Sequence, residues 1–280
     1  MAAPVSSRTP GLPILGPMDL TGATCLLTGA NRGIGLALAR RLAREPLATL
    51  LLGMRSPGDH HPIAAPEGGA REIRPVRLEL SSRQSIEDSW RELGDPPIDL
   101  LINNAGQMTG GLLEDQDMER VYSMFQVNLL AVAHLTALVL PGMLDRGRGK
   151  IVNNASISGY AHFPAATTYA ASKAGVVALT ESLRRELKGT GVETLHLITP
   201  GVNTEMLDDT ESVYGRYMDT SGWERQEPDD WAEKVLAAIL ADARKLEPGG
   251  KVGWAVLASR GPAALLDRAS ERMFSRQPRS

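Results

Sequence analysis

The chain has 280 residues, of which 42% are hydrophobic and 22% charged, enough apolar material for a sizeable core and too much for a wholly disordered chain. A formal net charge of −3, with no run of Lys or Arg, offers no field for a phosphate backbone, so nucleic acid is not an expected partner. The single cysteine, Cys25, excludes an internal disulfide framework and reads as a small core residue in the apolar run Ala23 to Leu27.

In chain order, residues 1–19 hold four prolines and neither a charged start nor an apolar block of signal-sequence length, and are expected to form a flexible tail. From Ala23 onward, short β-branched or Leu-rich runs alternate with longer stretches of helical period. Strands are predicted near 23–28, 48–53, 73–79, 98–102, 150–155 and 193–199, and helices near 33–44, 83–93, 115–145, 167–188 and 228–243. This pattern predicts the α/β class: a single doubly wound Rossmann-fold domain over 20–250, a mostly parallel central sheet flanked by helices, then a C-terminal extension over 251–280. Apolar stretches fall short of the roughly 18 residues of a bilayer span, so no integral membrane segment and a soluble cytoplasmic protein are expected. The turn-rich segment 56–71 reads as a surface loop, and its His60-His61 pair has no Cys or carboxylate cluster at ligand spacing, so no metal site is expected.

Directly after the first strand comes Thr28-Gly29-Ala30-Asn31-Arg32-Gly33-Ile34-Gly35, which opens a helix. Glycines let the backbone turn tightly and admit a pyrophosphate to the helix N-terminus, which makes Gly29, Asn31, Arg32, Gly33, Ile34 and Gly35 candidate dinucleotide contacts. About 20 positions on, where an acid would meet the adenosine ribose, stands Gly53-Met54-Arg55-Ser56, with no carboxylate before Asp59. Arg55, with Arg32 inside the loop, suits an added phosphate and predicts NADP(H) in preference to NAD(H), the alternative being that both are solvated surface charges.

Tyr169 and Lys173 stand four apart at the start of a long helical stretch and share one face. A phenol is a poor acid or base at neutral pH, but a close ammonium and the positive ring of an oxidised nicotinamide favour its phenolate, and such a tyrosine can shuttle a proton. With Asn103-Asn104-Ala105-Gly106 between the glycine loop and this pair, in the same order, the chain resembles the short-chain dehydrogenase/reductase superfamily over about residues 20–245. The resemblance implies that Ser156, thirteen residues before Tyr169, hydrogen-bonds the substrate oxygen, with Ser158 as the competing serine. It implies that Tyr169 gives or takes the proton, and that Lys173 binds the nicotinamide ribose and lowers the Tyr169 pKa. It also gives Asn128 the anchoring of a water in the proton relay, against the alternative of a helix-capping or helix-bending amide. Cofactor contacts implied in the same way are Glu79 and Leu80 at the adenine, Asn104, Ala105 and Gly106, and the loop Pro200, Gly201, Val202 and Thr204, with Thr204 on the carboxamide.

Two departures from the family pattern stand out. Glu79 replaces the Asp of many relatives, and the region after Trp231 lacks the Gly-Gly ending of relatives that reduce 3-oxoacyl thioesters, running on instead through Gly249-Gly250-Lys251 to Ala264-Leu265-Leu266. The second argues against an acyl-carrier-protein reductase.

The loops after the fourth, fifth and sixth strands should form the substrate pocket. They hold Gln107, Met108, Ile157, Tyr160, His162, Phe163, Met206, Tyr214, Tyr217, Met218 and Trp223, five of them aromatic in a chain with only 4% aromatic residues. The expected substrate is a lipophilic ketone, aldehyde or alcohol, the alternative being that these side chains only pack a flap. The run Ala263-Ala264-Leu265-Leu266 with Met273 and Phe274 can cover the pocket, join a subunit interface or touch a membrane surface, and the interface is favoured. A homodimer or homotetramer through the helices near 115–145 and 167–188 is implied by resemblance. Two functions from different classes follow: an NADP(H)-dependent oxidoreductase working on C=O and CH–OH groups, or an NADP(H)-binding sensor or scaffold without turnover. The complete set Asn128, Ser156, Tyr169 and Lys173 favours the enzyme.

Overall fold

A computed structural model describes residues 18–59, 62–220, 223–249 and 274–277. Most of the expected N-terminal tail, His60 and His61, and the part of the C-terminal extension holding Ala263 to Leu266 and Met273 lie outside the described residues.

The chain begins with β1 (Thr24–Thr28), α1 (Gly33–Leu42), β2 (Thr49–Met54), β3 (Glu72–Arg77), α2 (Arg83–Leu93) and β4 (Leu100–Asn103). Next, α3 (Met118–Phe125) runs into α4 (Ala131–Arg146) through one wide π-helical turn, Gln126–Leu130. After these come β5 (Gly149–Asn154), α5 (Thr167–Glu186), β6 (Val192–Leu197), β7 (Gly201–Val202), α6 (Glu205–Tyr214), β8 (Arg225–Gln226), α7 (Pro228–Leu240) and β9 (Lys245–Leu246). Seven strands form one sheet in the order β3-β2-β1-β4-β5-β6-β9, with every pair parallel. The order reverses between β1 and β4, and in such a sheet a crevice opens there at the carboxyl ends of the strands.

Both sheet faces are buried, so the central strands are apolar at successive positions and period two shows only in which core each residue joins. Cys25, Leu27, Leu50, Leu52, Leu100, Ile102 and Val152 pack on one side with Ala37, Leu38 and Leu42 of α1 and Trp231, Val235 and Ile239 of α7. Leu26, Leu51, Leu101 and Ile151 pack on the other with Ile86 and Trp90 of α2, Leu135, Val139 and Met143 of α4, and Leu183 of α5. Cys25 is fully buried, and its apolar setting raises the thiol pKa, as befits a core residue.

Each of the six expected strands and five expected helices is present, with boundaries shifted by a few residues. Four elements were not anticipated: β9 at the sheet edge, β7 and β8, which pair as a ribbon, and α6 in a stretch read as loop. The segment Met118–Arg146 runs for 29 residues and holds an 18-residue stretch of mean hydropathy 1.8, longer and more apolar than the sequence reading allowed, and by length and composition alone sufficient to cross a membrane. Here its inner face belongs to the core, with Leu135, Val139 and Met143 buried beside Leu101 and Ile151.

Polar side chains also cross this core. Asn103 and Asn153 are register partners on β4 and β5, and the Asn103 amide donates to Asn153 Oδ1 at 2.9 Å and to Thr136 Oγ1 at 3.4 Å. Asn153 in turn donates to Thr180 Oγ1 at 2.9 Å on α5. Replacing Asn103 with Ala leaves the Asn153 carbonyl buried without its donor, and should lower unfolding stability by about 1–3 kcal/mol with an unchanged urea m-value. Equilibrium urea denaturation read by far-UV circular dichroism checks this.

Candidate active site

The cleft at the carboxyl ends of the strands encloses about 910 Å³. At its floor, Thr28 Oγ1 accepts from the backbone N–H groups of Asn104 (3.0 Å) and Ala105 (2.9 Å), joining β1 to the loop after β4. The Asn104 amide donates to Thr28 O at 3.1 Å, while its Oδ1 accepts from Asn154 Nδ2 at 3.0 Å. Thr199 Oγ1 donates to Asn154 Oδ1 at 2.5 Å, completing a row from β1 to the end of β6.

Above this row lies the glycine loop. Gly29 has φ +68°, and a Cβ there would stand 2.9 Å from Ala105 Cα; a Cβ at Gly35 would stand 1.9 Å from Gly29 O. Both positions therefore need glycine. At the N-terminus of α1, Arg32 provides no side-chain cap, leaving the first-turn N–H groups to a ligand. Asn31, Arg32, Gly33 and Ile34 line the cleft beside Gly29 and Gly35. Arg55, Glu79, Leu80, Asn104, Ala105, Gly106, Pro200, Gly201, Val202 and Thr204 line it as well, so every expected cofactor contact borders one cavity.

Some of these side chains are already engaged. Arg32 pairs with Glu205 at 2.9 Å, both side chains largely in solvent, whereas Arg55 is exposed with no hydrogen bond among the described residues. Glu79 Oε1 accepts from Ser81 N at 3.1 Å and closes the turn leading to α2. Thr204 Oγ1 donates back to Val202 O at 3.1 Å.

The reactive groups sit at the other end of the cleft. Ser156 follows β5, and its Oγ accepts from Ser158 N at 3.2 Å. Both serines line the cleft, and of the two it is Ser156 whose side chain bears on the Tyr169 hydroxyl and lowers its pKa. Tyr169 is the third residue of α5, and one turn on Lys173 Nζ lies 5.9 Å from the Tyr169 ring centroid and donates to Asn154 O at 2.8 Å. An ammonium has three donors, so two remain available. Burial raises the Tyr169 pKa and the nearby Ser156 side chain partly offsets it, so in the protein alone the phenol is held neutral rather than shifted toward phenolate by Lys173. Burial likewise pushes Lys173 down to about 8.

Asn128 lies under the cleft rather than in its wall, within the π-helical turn. Its Nδ2 donates to Gln107 O at 2.9 Å and Ser172 Oγ at 3.1 Å, and its Oδ1 accepts from Gln107 N at 2.8 Å. Ser172 Oγ then donates to Tyr169 O at 2.8 Å. The side chain is thus a brace between the loop after β4 and the first turns of α5. Both its amide and its carbonyl are engaged by protein groups.

Of the expected pocket residues, Gln107, Met108, Ile157, Phe163, Met206, Tyr214, Met218 and Trp223 line the cleft. Tyr160 does not: it stacks on His196 at 5.7 Å between centroids, and its hydroxyl and His196 Nε2 are 3.1 Å apart. His162 is exposed, and Tyr217 turns to Phe274, with ring centroids 6.4 Å apart. Phe274 also bridges Met218, so this described part of the C-terminal extension packs on its own chain beside the pocket. Wall residues missed in the sequence include Asn154, Thr199 and Glu205, which carry no motif of their own.

The short chain dehydrogenase family model matches residues 23–214. Ketoacyl reductase HetN of a Nostoc species is 36% identical over 184 residues, covering 65% of this chain and 64% of that relative, so the match leaves over a third of the relative unspanned. An uncharacterized oxidoreductase of Staphylococcus aureus is 30% identical over 224 residues, covering 79% of this chain and 92% of the relative. A short-chain dehydrogenase of Sphingobium yanoikuyae in complex with NADPH has a TM-score of 0.69 at 26% identity, over 89% of this chain and 94% of that one. One from Burkholderia cenocepacia in complex with NADP shares the fold, with a TM-score of 0.76 at 21% identity over 90% and 99% of the two chains.

Lys173 also gives a stability test. Its buried pKa of about 8 lies below the ordinary 10.5, so between these values the unfolded chain binds more protons and stability rises with pH. Lys173→Met should stabilise the cofactor-free protein at pH 7 by up to ~3 kcal/mol. The gain should shrink as pH rises from about 8 to 10.5, as followed by denaturation midpoints across that range.

Proposed function

The chain belongs to the short-chain dehydrogenase/reductase family, and on that premise we propose that it is an NADP(H)-dependent oxidoreductase interconverting a lipophilic ketone or aldehyde and its alcohol. The observation that carries this reading is that Ser156 and Tyr169, with Lys173 one turn along α5, line the same cleft as the glycine loop. Bound there, the nicotinamide supplies or accepts the hydride. Ser156 and Tyr169 hold the substrate oxygen where negative charge develops, and Tyr169 gives or takes its proton. A phenol kept neutral by burial is ready to donate, which suits reduction of a carbonyl. The two available donors of Lys173 suit a ribose diol.

The choice of NADP(H) is supported by Arg55, exposed at the end of β2 and unpaired among the described residues, and by the absence of a carboxylate at that position. The NADPH bound in the Sphingobium structure agrees with it. The name of the Nostoc relative also brings oxoacyl compounds back among candidate substrates, against the argument from the missing Gly-Gly ending. Exposed Met118, Tyr122, Leu130 and Leu144 along α3 and α4 support a homo-oligomer through these helices.

Tyr169→Phe should lower kcat by about 10²–10⁴-fold while NADPH binding, followed by fluorescence titration, stays within a few-fold of the wild type. NADPH binding by the wild type without turnover of any ketone or aldehyde would instead mark a binding protein. Arg55→Asp should weaken NADPH by about ten- to a hundredfold and leave NADH nearly unchanged. Equal losses for both cofactors would remove Arg55 from the phosphate site.

A further inference from the structure

The wall of the cleft facing the reactive groups is built by α6 and the residues after it, which have a small apolar core of their own around Tyr214, Tyr217, Met218, Ala165 and Ala166. Within it, Tyr214 lines the cleft yet is only 2% exposed. Its ring is fixed from two sides. A Cβ on Gly110 would come within 2.5 Å of Tyr214 Cε1, so the ring lies against bare backbone, and Trp223 meets it edge-on with centroids 6.0 Å apart.

The hydroxyl of this ring has no hydrogen-bond partner among the described residues. Buried phenols ordinarily find one, because removing the group from water without compensation is unfavourable. Thr194 and Trp231 also carry buried unpartnered polar atoms, but neither borders the cleft. Tyr214 does, and it stands close enough to Tyr169 for the two hydroxyls to interact electrostatically.

We propose that the Tyr214 hydroxyl is a specificity-determining group that hydrogen-bonds a second oxygen of the substrate, beside the carbonyl held by Ser156 and Tyr169. This deepens the oxidoreductase reading and rests on it. The substrate class it selects is a ketone bearing a neighbouring oxo or hydroxyl group, with an apolar remainder against Met108, Phe163 and Trp223, rather than a simple ketone. A site that hydrogen-bonds a substrate oxygen discriminates strongly against the analogue lacking it.

The test compares the NADPH-loaded wild type with Tyr214→Phe on an aliphatic methyl ketone and on the α- and β-diketones of the same chain length. NADPH consumption gives the rates, and thermal shift of the loaded protein gives diketone binding. The wild type should prefer a diketone. Tyr214→Phe should lose about ten- to a hundredfold more in kcat/KM on it, chiefly through KM, than on the methyl ketone. Diketone protection against heat should be lost in the variant, whose own melting temperature should be unchanged or higher, since the removed hydroxyl bonds nothing in the protein. Equal losses on all ketones, or none on any, would overturn the role of Tyr214 while leaving the oxidoreductase reading intact. Absence of wild-type turnover with every compound and either nicotinamide cofactor would overturn both.

Discussion

The Asn154 side chain lies between Asn104 and Thr199, accepting from one neighbour and donating to the other, while its own backbone carbonyl holds Lys173. Through Asn104 the row continues to Thr28, so the ends of β1, β4, β5 and β6 are cross-linked by side chains where the ladder of backbone bonds gives out. A parallel sheet leaves its last carbonyls and amides without strand partners, and in a dry cleft such groups must be satisfied locally. Here the groups that satisfy them also set where the glycine loop, the reactive lysine and the Thr199-Pro200-Gly201 loop stand relative to one another. Preorganisation of this kind is what a charge-developing reaction requires of its scaffold.

A second brace runs through the helices. The π-helical turn between α3 and α4 places Asn128 so that one amide reaches both the backbone at Gln107 and Ser172 on α5, and Ser172 passes the restraint to the Tyr169 carbonyl. Insertion of one residue into a helix is unfavourable unless something is gained, and π-turns concentrate at functional sites for that reason. Between these braces, Lys173 and Tyr169 sit in surroundings that resist charge on both. An ionic species arriving in the cleft therefore acts on them with little screening, and their protonation belongs as much to the ligand as to the protein.

Much of this was readable in the sequence because it is local. The glycine loop joins strand to helix within one short segment, and Tyr169 and Lys173 share a helix face by spacing alone. The alternation of β and α segments carried the layer order, and the burial of both sheet faces follows from it. What escaped depends on distant parts of the chain. Arg32 reads as a free cation until Glu205, 173 residues away, is placed beside it. Tyr160 reads as a pocket aromatic until His196 on β6 draws it away. The region of α6 has the charged and polar composition of a loop, and becomes a helix through its packing on Gly110, Ala165 and Ala166 rather than through a hydrophobic stripe visible in advance.

The Arg32–Glu205 pair joins the two walls of the cleft, one residue in the glycine loop and the other at the first turn of α6. Being exposed, it contributes on the order of 0–1 kcal/mol, and any anion that takes Arg32 releases it. The α6 wall then loses a restraint at the moment the glycine loop gains one. Linkage makes that exchange reciprocal: whatever draws α6 away from the loop frees Arg32 for the anion, and by the same free energy. Increasing ionic strength loosens the pair and so uncouples the two walls, which makes the crosstalk between them a property of the medium as well as of the fold.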